Sequence, residues 1–187
     1  MLGLAVGLTA FTAAGTLLTG DRDVAAGPPA EPAHTYTLDL PGWNLVGVWE
    51  SPDGSGTSHT LFDRLDGDIP RRIMIESGSA AQDRLATLQS LEFEPTATIT
   101  LDGEEAVFYD TSRLYEDEEQ AGLMAWSTLA ATWAAPSGQR VMILFEGIGI
   151  DEATALLVDH LMPMSRDDWQ SIVASYGPPV TTTIVNN

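Results

Sequence analysis

The stretch Gln139–Tyr176, QRVMILFEGIGIDEATALLVDHLMPMSRDDWQSIVASY, decides the fold. Val141, Ile143 and Phe145 alternate with Met142 and Leu144, which is the period of a strand. Both faces of that strand are apolar, so it belongs in the middle of a sheet covered on two sides. Gly147 and Gly149 break the pattern. Ala153, Leu156, Leu157, His160 and Leu161 then follow at helical spacing, with Asp151 as the expected cap and Pro163 as the stop. A second helix is marked more fully. Ser165 and Asp168 have the S-x-x-D spacing of a capping box, and Met164 and Trp169 are placed to form a hydrophobic staple. Trp169, Ile172, Val173 and Tyr176 make its apolar stripe. Gly177 and Pro178 end it.

Working outward, Ala97, Ile99 and Leu101 alternate with threonines, and Asp102-Gly103 supplies a tight hairpin turn into a strand over 106–109. Ser79 and Gln82 predict a second capping box, opening a helix that packs Leu85, Leu88 and Leu91. Earlier strands are expected at 36–40, 43–49, 59–64 and 71–77, and a long one at 124–134. On the second of these, Trp43, Leu45 and Trp49 are expected on one face. The connections are hairpin-length, which makes neighbours antiparallel. The fold class is therefore α+β: a single antiparallel sheet of about seven or eight strands with about three helices on one face, preceded by one N-terminal hydrophobic helix.

Residues 2–18 carry no charge. Three readings of them stand open: an uncleaved membrane anchor over 1–20, a signal peptide cleaved near Ala26, or a buried helix. The anchor is favoured, with the C-terminal bulk outside a cell membrane in a single pass; cleavage would release a secreted protein. The basic residues that ordinarily precede such a run are missing, so a longer natural N terminus is expected. Residues 21–33 form a Pro/Ala-rich linker, 34–177 the extracytoplasmic domain, and 178–187 a frayed tail.

The 187-residue chain has a formal net charge of −19, and all 8 basic residues are arginine. That charge opposes nucleic acid and anionic lipid headgroups alike. There is no cysteine, which excludes disulfides and thiol chemistry. His34, His59 and His160 are the three histidines. No G-x-S-x-G elbow accompanies them, so surface or boundary roles are expected. Asp63, Asp66 and Asp68 with Gly67 do not fit a calcium loop, and the run Glu116–Glu119 reads as a solvated face. Neither a cofactor nor a metal is expected, and an enzyme is the less favoured reading. The tryptophans read first as core; Trp43 and Trp126 are the candidates for an exposed aromatic surface that takes a ligand or partner.

Two patches carry a resemblance. YTLDLPGW at 36–43, and EGIGIDEA at 146–153 with Leu156, Leu157, Leu161, Asp168 and Trp169, resemble actinobacterial extracytoplasmic domains that follow one membrane helix. A looser similarity is to the Mog1/PsbP-like α+β folds. The resemblance implies an α+β domain tethered to a membrane and implies no activity. Together these readings predict a non-enzymatic interaction or sensing domain with an envelope protein as partner. The alternatives are a secreted carrier of a small ligand and an extracellular hydrolase converging on His59 or His160. No oligomeric state is legible.

Overall fold

The structure is a computed structural model that describes residues 34–51, 56–101, 103–116 and 126–176. The anchor, the linker, the acidic residues 117–119 and the tail lie outside the described residues. Among the described residues no helix is long and apolar enough to cross a membrane.

The element order is β1 (Thr35–Leu38), β2 (Asn44–Glu50), β3 (Ser58–Asp66), β4 (Ile69–Ser77), α1 (Ser79–Ser90), β5 (Pro95–Leu101) and β6 (Glu104–Asp110). A 3-10 turn at Ser112–Glu116 is followed by β7 (Leu129–Ala134), β8 (Arg140–Glu146), α2 (Ile150–His160), β9 (Leu161–Met164) and α3 (Arg166–Tyr176). Seven strands form one antiparallel sheet in the order β2-β3-β4-β8-β7-β6-β5, and β1 pairs with β9 in a separate ribbon. The α+β class and the antiparallel sheet are as expected, and β8 is central with both faces buried.

Several local expectations are corrected. The helices do not share one face. One face of the sheet packs Phe62, Ile73, Ile75, Ile143, Phe145 and Trp133 against α2 and the β1-β9 ribbon. The other packs Met74, Met142 and Leu144 against Ala81, Leu85 and Leu88 of α1. A sheet whose central strand is apolar on both sides needs a layer on each. The helix expected to run to Pro163 ends at His160, and Leu161–Met164 is a strand; Pro163 sits opposite Tyr36 in a two-stranded ribbon where a missing N–H is tolerated. Of the strand expected over 124–134, Leu129–Ala134 is strand and 126–128 are not, while 124 and 125 lie outside the described residues.

The caps divide. Ser165 Oγ accepts the Asp168 amide at 3.1 Å and donates to Asp168 Oδ2 at 2.7 Å, which closes the capping box. Met164 and Trp169 are both buried in one cluster, as a staple requires. By contrast α1 is capped by Gly78 at φ 89, and Ser79 Oγ bonds Thr57 Oγ1 at 2.8 Å instead of the helix. Gly149, not Asp151, is the N-cap of α2.

Candidate ligand-binding groove

The α1 face of the sheet is built in rows of directly opposed residues. One row runs Trp49, His59, Glu76, Met142, Thr132 and Val107 across six strands. The next carries Leu61, Met74, Leu144, Ala130 and Tyr109. A third places Asp63 opposite Arg72, and Arg72 opposite Glu146. Helix α1 lies over β4 and β8. Among the described residues the β2-β3 side of this face carries no helix.

A groove of about 350 Å³ occupies that open part, lined by Val46, Trp49, Leu61, Met74 and Trp126, with Asp63 and Arg72 at one end. A bulge between Leu45 and Gly47 makes it possible. The extra residue reverses the facing along β2. Trp43 and Leu45 therefore pack on the α2 side, while Val46 and Trp49 face the groove. Trp126 is set by the residues that follow it: the Thr111 hydroxyl donates to the Ser127 carbonyl at 3.0 Å, and the Thr111 amide to Thr128 O at 3.1 Å. The Arg72 guanidinium lies 5.9 Å from the Trp126 ring centroid and 3.4 Å from the Glu146 carboxylate. An apolar hollow with two aromatic walls and a few fixed polar groups is the ordinary form of a small-molecule site.

Beside the groove runs a chain of polar groups. Ser51 Oγ lies 3.2 Å from His59 Nε2, and His59 Nδ1 lies 3.2 Å from Glu76 Oε1. Arg84 of α1 donates to both Glu76 oxygens, through Nη2 at 2.8 Å and through Nε. Trp49 stacks on the His59 ring with centroids 4.7 Å apart and planes 6° from parallel. Glu76 is 0% exposed. Burial alone would raise its carboxyl, but hydrogen bonds from His59 and Arg84 outweigh that and hold it below the usual carboxylate value.

Two other hollows, of about 400 and about 280 Å³, share Asp110 and Ser112. Ser112 holds the Asp110 carboxyl below its usual value through its hydroxyl and its amide. Neither hollow is walled by tryptophan.

The sequence candidates are separated by the fold. Trp126 lines the groove. Trp43 lies on the opposite face, with Arg64 and Arg71 at 5.8 and 5.9 Å from its ring, so one surface does not contain both. His34 sits 3.5 Å from Glu50, and His160 ends α2 with its carbonyl accepting the Asp39 amide at 3.0 Å. Asp63 accepts from Asn44 at 3.1 Å, and Asp66 lies 3.8 Å from Arg71. Among the described residues no group of three or more His, Asp or Glu is spaced to hold a metal. No motif in the sequence marks Trp49, Ser51, Glu76 or Arg84 as site residues. One signal was available: His59 and Glu76 are equidistant from the Gly67-Asp68 turn, so a hairpin there must pair them. Comparison with protein-family models, with curated proteins and with solved structures returns no match.

Proposed function

We infer that the chain is a membrane-tethered, extracytoplasmic sensing domain whose ligand is a small apolar molecule held between Trp49 and Trp126. The groove is the observation that carries this reading. It is open, aromatic-walled and of a size for one small ligand. The uncharged run at residues 2–18 supports the tether, and the charge of −19 turns away nucleic acid and anionic surfaces. An envelope protein is then the partner to which a bound state is reported.

Nile red, a neutral apolar dye, tests the site. It should bind the full chain with quenching of tryptophan emission, and Trp126→Ala should weaken it by roughly 10-fold or more, as removal of a central aromatic anchor does. Equal binding by the variant would remove the groove reading. Intact mass and membrane partitioning in a related bacterium test the tether. A released chain beginning near Gly27 would replace it with a secreted carrier.

A further inference from the structure

The groove makes no use of the polar chain beside it. Glu76 is ionised and can only accept, so its hydrogen bond to His59 puts the imidazole proton on Nδ1. Nε2 is thereby left to accept from the Ser51 hydroxyl. That is the orientation in which an imidazole removes a serine proton. The ring is fixed from three directions: Glu76 at its edge, Arg84 behind Glu76, and Trp49 flat against its face. Ser51 follows β2 directly, its amide donating to Thr57 O at 2.9 Å, and it is half-buried, so part of its surface is open to a substrate.

We propose that Ser51 is a nucleophile activated by His59, with Glu76 as the positioning residue, and that it reacts with esters of small apolar acids. The serine oxygen bonds to the ester carbonyl carbon while its proton passes to His59 Nε2. The carbon–oxygen bond to the alcohol then breaks, and the alcohol leaves with that proton. Water, deprotonated by the same nitrogen, cleaves the acyl-serine to release the acid and restore Ser51. Trp49 and Ser51 are two residues apart on one face, about 6.6 Å, so an acyl chain in the groove ends beside the hydroxyl. That placement rests on the groove reading; the activation of Ser51 does not. The Ser51 amide is held by Thr57 and gives the oxyanion no donor, so turnover is slow and covalent capture is the readout.

Ethyl and octyl fluorophosphonates provide the test, on the full 187-residue chain in mild detergent. Attack by Ser51 forms an oxygen–phosphorus bond and expels fluoride, and the added mass is located by peptide mapping. One adduct is expected, on Ser51, lost in Ser51→Ala and formed at least about 100-fold more slowly in His59→Gln. The octyl probe should react about 10-fold faster than the ethyl probe, an advantage that Trp126→Ala abolishes. A folded parent chain that takes no adduct overturns the nucleophile while leaving dye binding, and so the groove, intact. Capture at equal rates by both probes keeps the nucleophile and removes the groove as acyl site. His59→Gln that loses stability yet labels like the parent shows a merely structural histidine and also overturns the proposal. Ser51→Ala, altering only a half-buried hydroxyl, keeps the test valid should the histidine variant fail to fold.

Discussion

Arg84→Ala tests what holds the middle of the sheet together. Glu76 lies on β4 between β3 and β8 with no exposed surface, and Arg84 supplies two of its hydrogen bonds. Removing the guanidinium leaves a buried carboxylate with His59 as its remaining side-chain partner among the described residues. Breaking a buried pair in this way costs about 3–5 kcal/mol, a large share of the roughly 5–15 kcal/mol that holds a domain folded. In urea, with an m-value of about 2 kcal/mol/M, the midpoint should fall by about 2 M at pH 7. The pH dependence carries the sharper signature. In the parent chain the folded Glu76 carboxyl is depressed below its ordinary value of 4.5. Its contribution is therefore present above that value and is lost as pH falls through the folded one. Without Arg84 two of the effects that lower the carboxyl are lost, so its folded value rises relative to the parent, with burial then opposed by His59. The variant therefore loses less stability than the parent on acidification, and the gap between them narrows as pH drops from about 7 to about 4. The destabilisation is largest at neutral pH and shrinks on acidification. The double variant Glu76→Met/Arg84→Met removes both charges and should lie within about 1 kcal/mol of the parent or above it. A loss below about 1 kcal/mol for Arg84→Ala at pH 7, or a loss independent of pH, would refute the reasoning, since Arg84 would then act as an ordinary surface charge.

Ser165→Ala removes the cap of α3 and should cost about 1 kcal/mol, read as a drop in urea midpoint at constant m. Gly147→Ala should cost about 1–3 kcal/mol by the same assay, because φ is +66 and the new Cβ would lie 3.0 Å from the Pro70 carbonyl. Trp133→Phe should cost less than about 2 kcal/mol: the buried Nε1 of Trp133 has no acceptor among the described residues, so phenylalanine removes an unsatisfied donor along with the lost ring volume.

What the sequence disclosed was local. The Ser165–Asp168 box and the Met164–Trp169 staple each span a few residues, and their chemistry admits one arrangement. The hairpin of β5 and β6 was legible for the same reason, and the strength of β8 came from its apolar faces. Features fixed by partners far along the chain were hidden. Nothing near Leu45 announces a bulge, yet that one residue puts Trp43 and Trp49 on opposite faces. Ser79 looks like a cap by composition, but Thr57, 22 residues away, takes its hydroxyl. Ser51 meets His59 only after β2 and β3 pair, and Arg84 meets Glu76 only after α1 folds back over the sheet. Site residues drawn from four elements leave no spacing for a motif to record.

The groove follows from how the layers are matched. Seven strands at about 4.8 Å spacing make a sheet about 29 Å wide, whereas one helix is about 10–12 Å across. The α2 face is covered by α2, by α3 over β2, and by the β1-β9 ribbon. Among the described residues the other face has α1 alone, over β4 and β8, and at the β2-β3 edge it is side chains that line the surface. Trp126 is the residue on which two roles for those side chains differ. If it is there to cover the sheet, Trp126→Ala should cost the roughly 3–5 kcal/mol of a buried aromatic truncation. If it walls a site that a ligand fills, much of its surface is already wet. The stability loss should then stay near 1 kcal/mol while Nile red affinity falls roughly 10-fold. Trp126 is half-buried and its ring faces the groove, which favours the second outcome. A large loss of stability with unchanged dye binding would make the tryptophan a lid on the core and would remove the ligand from this face of the sheet.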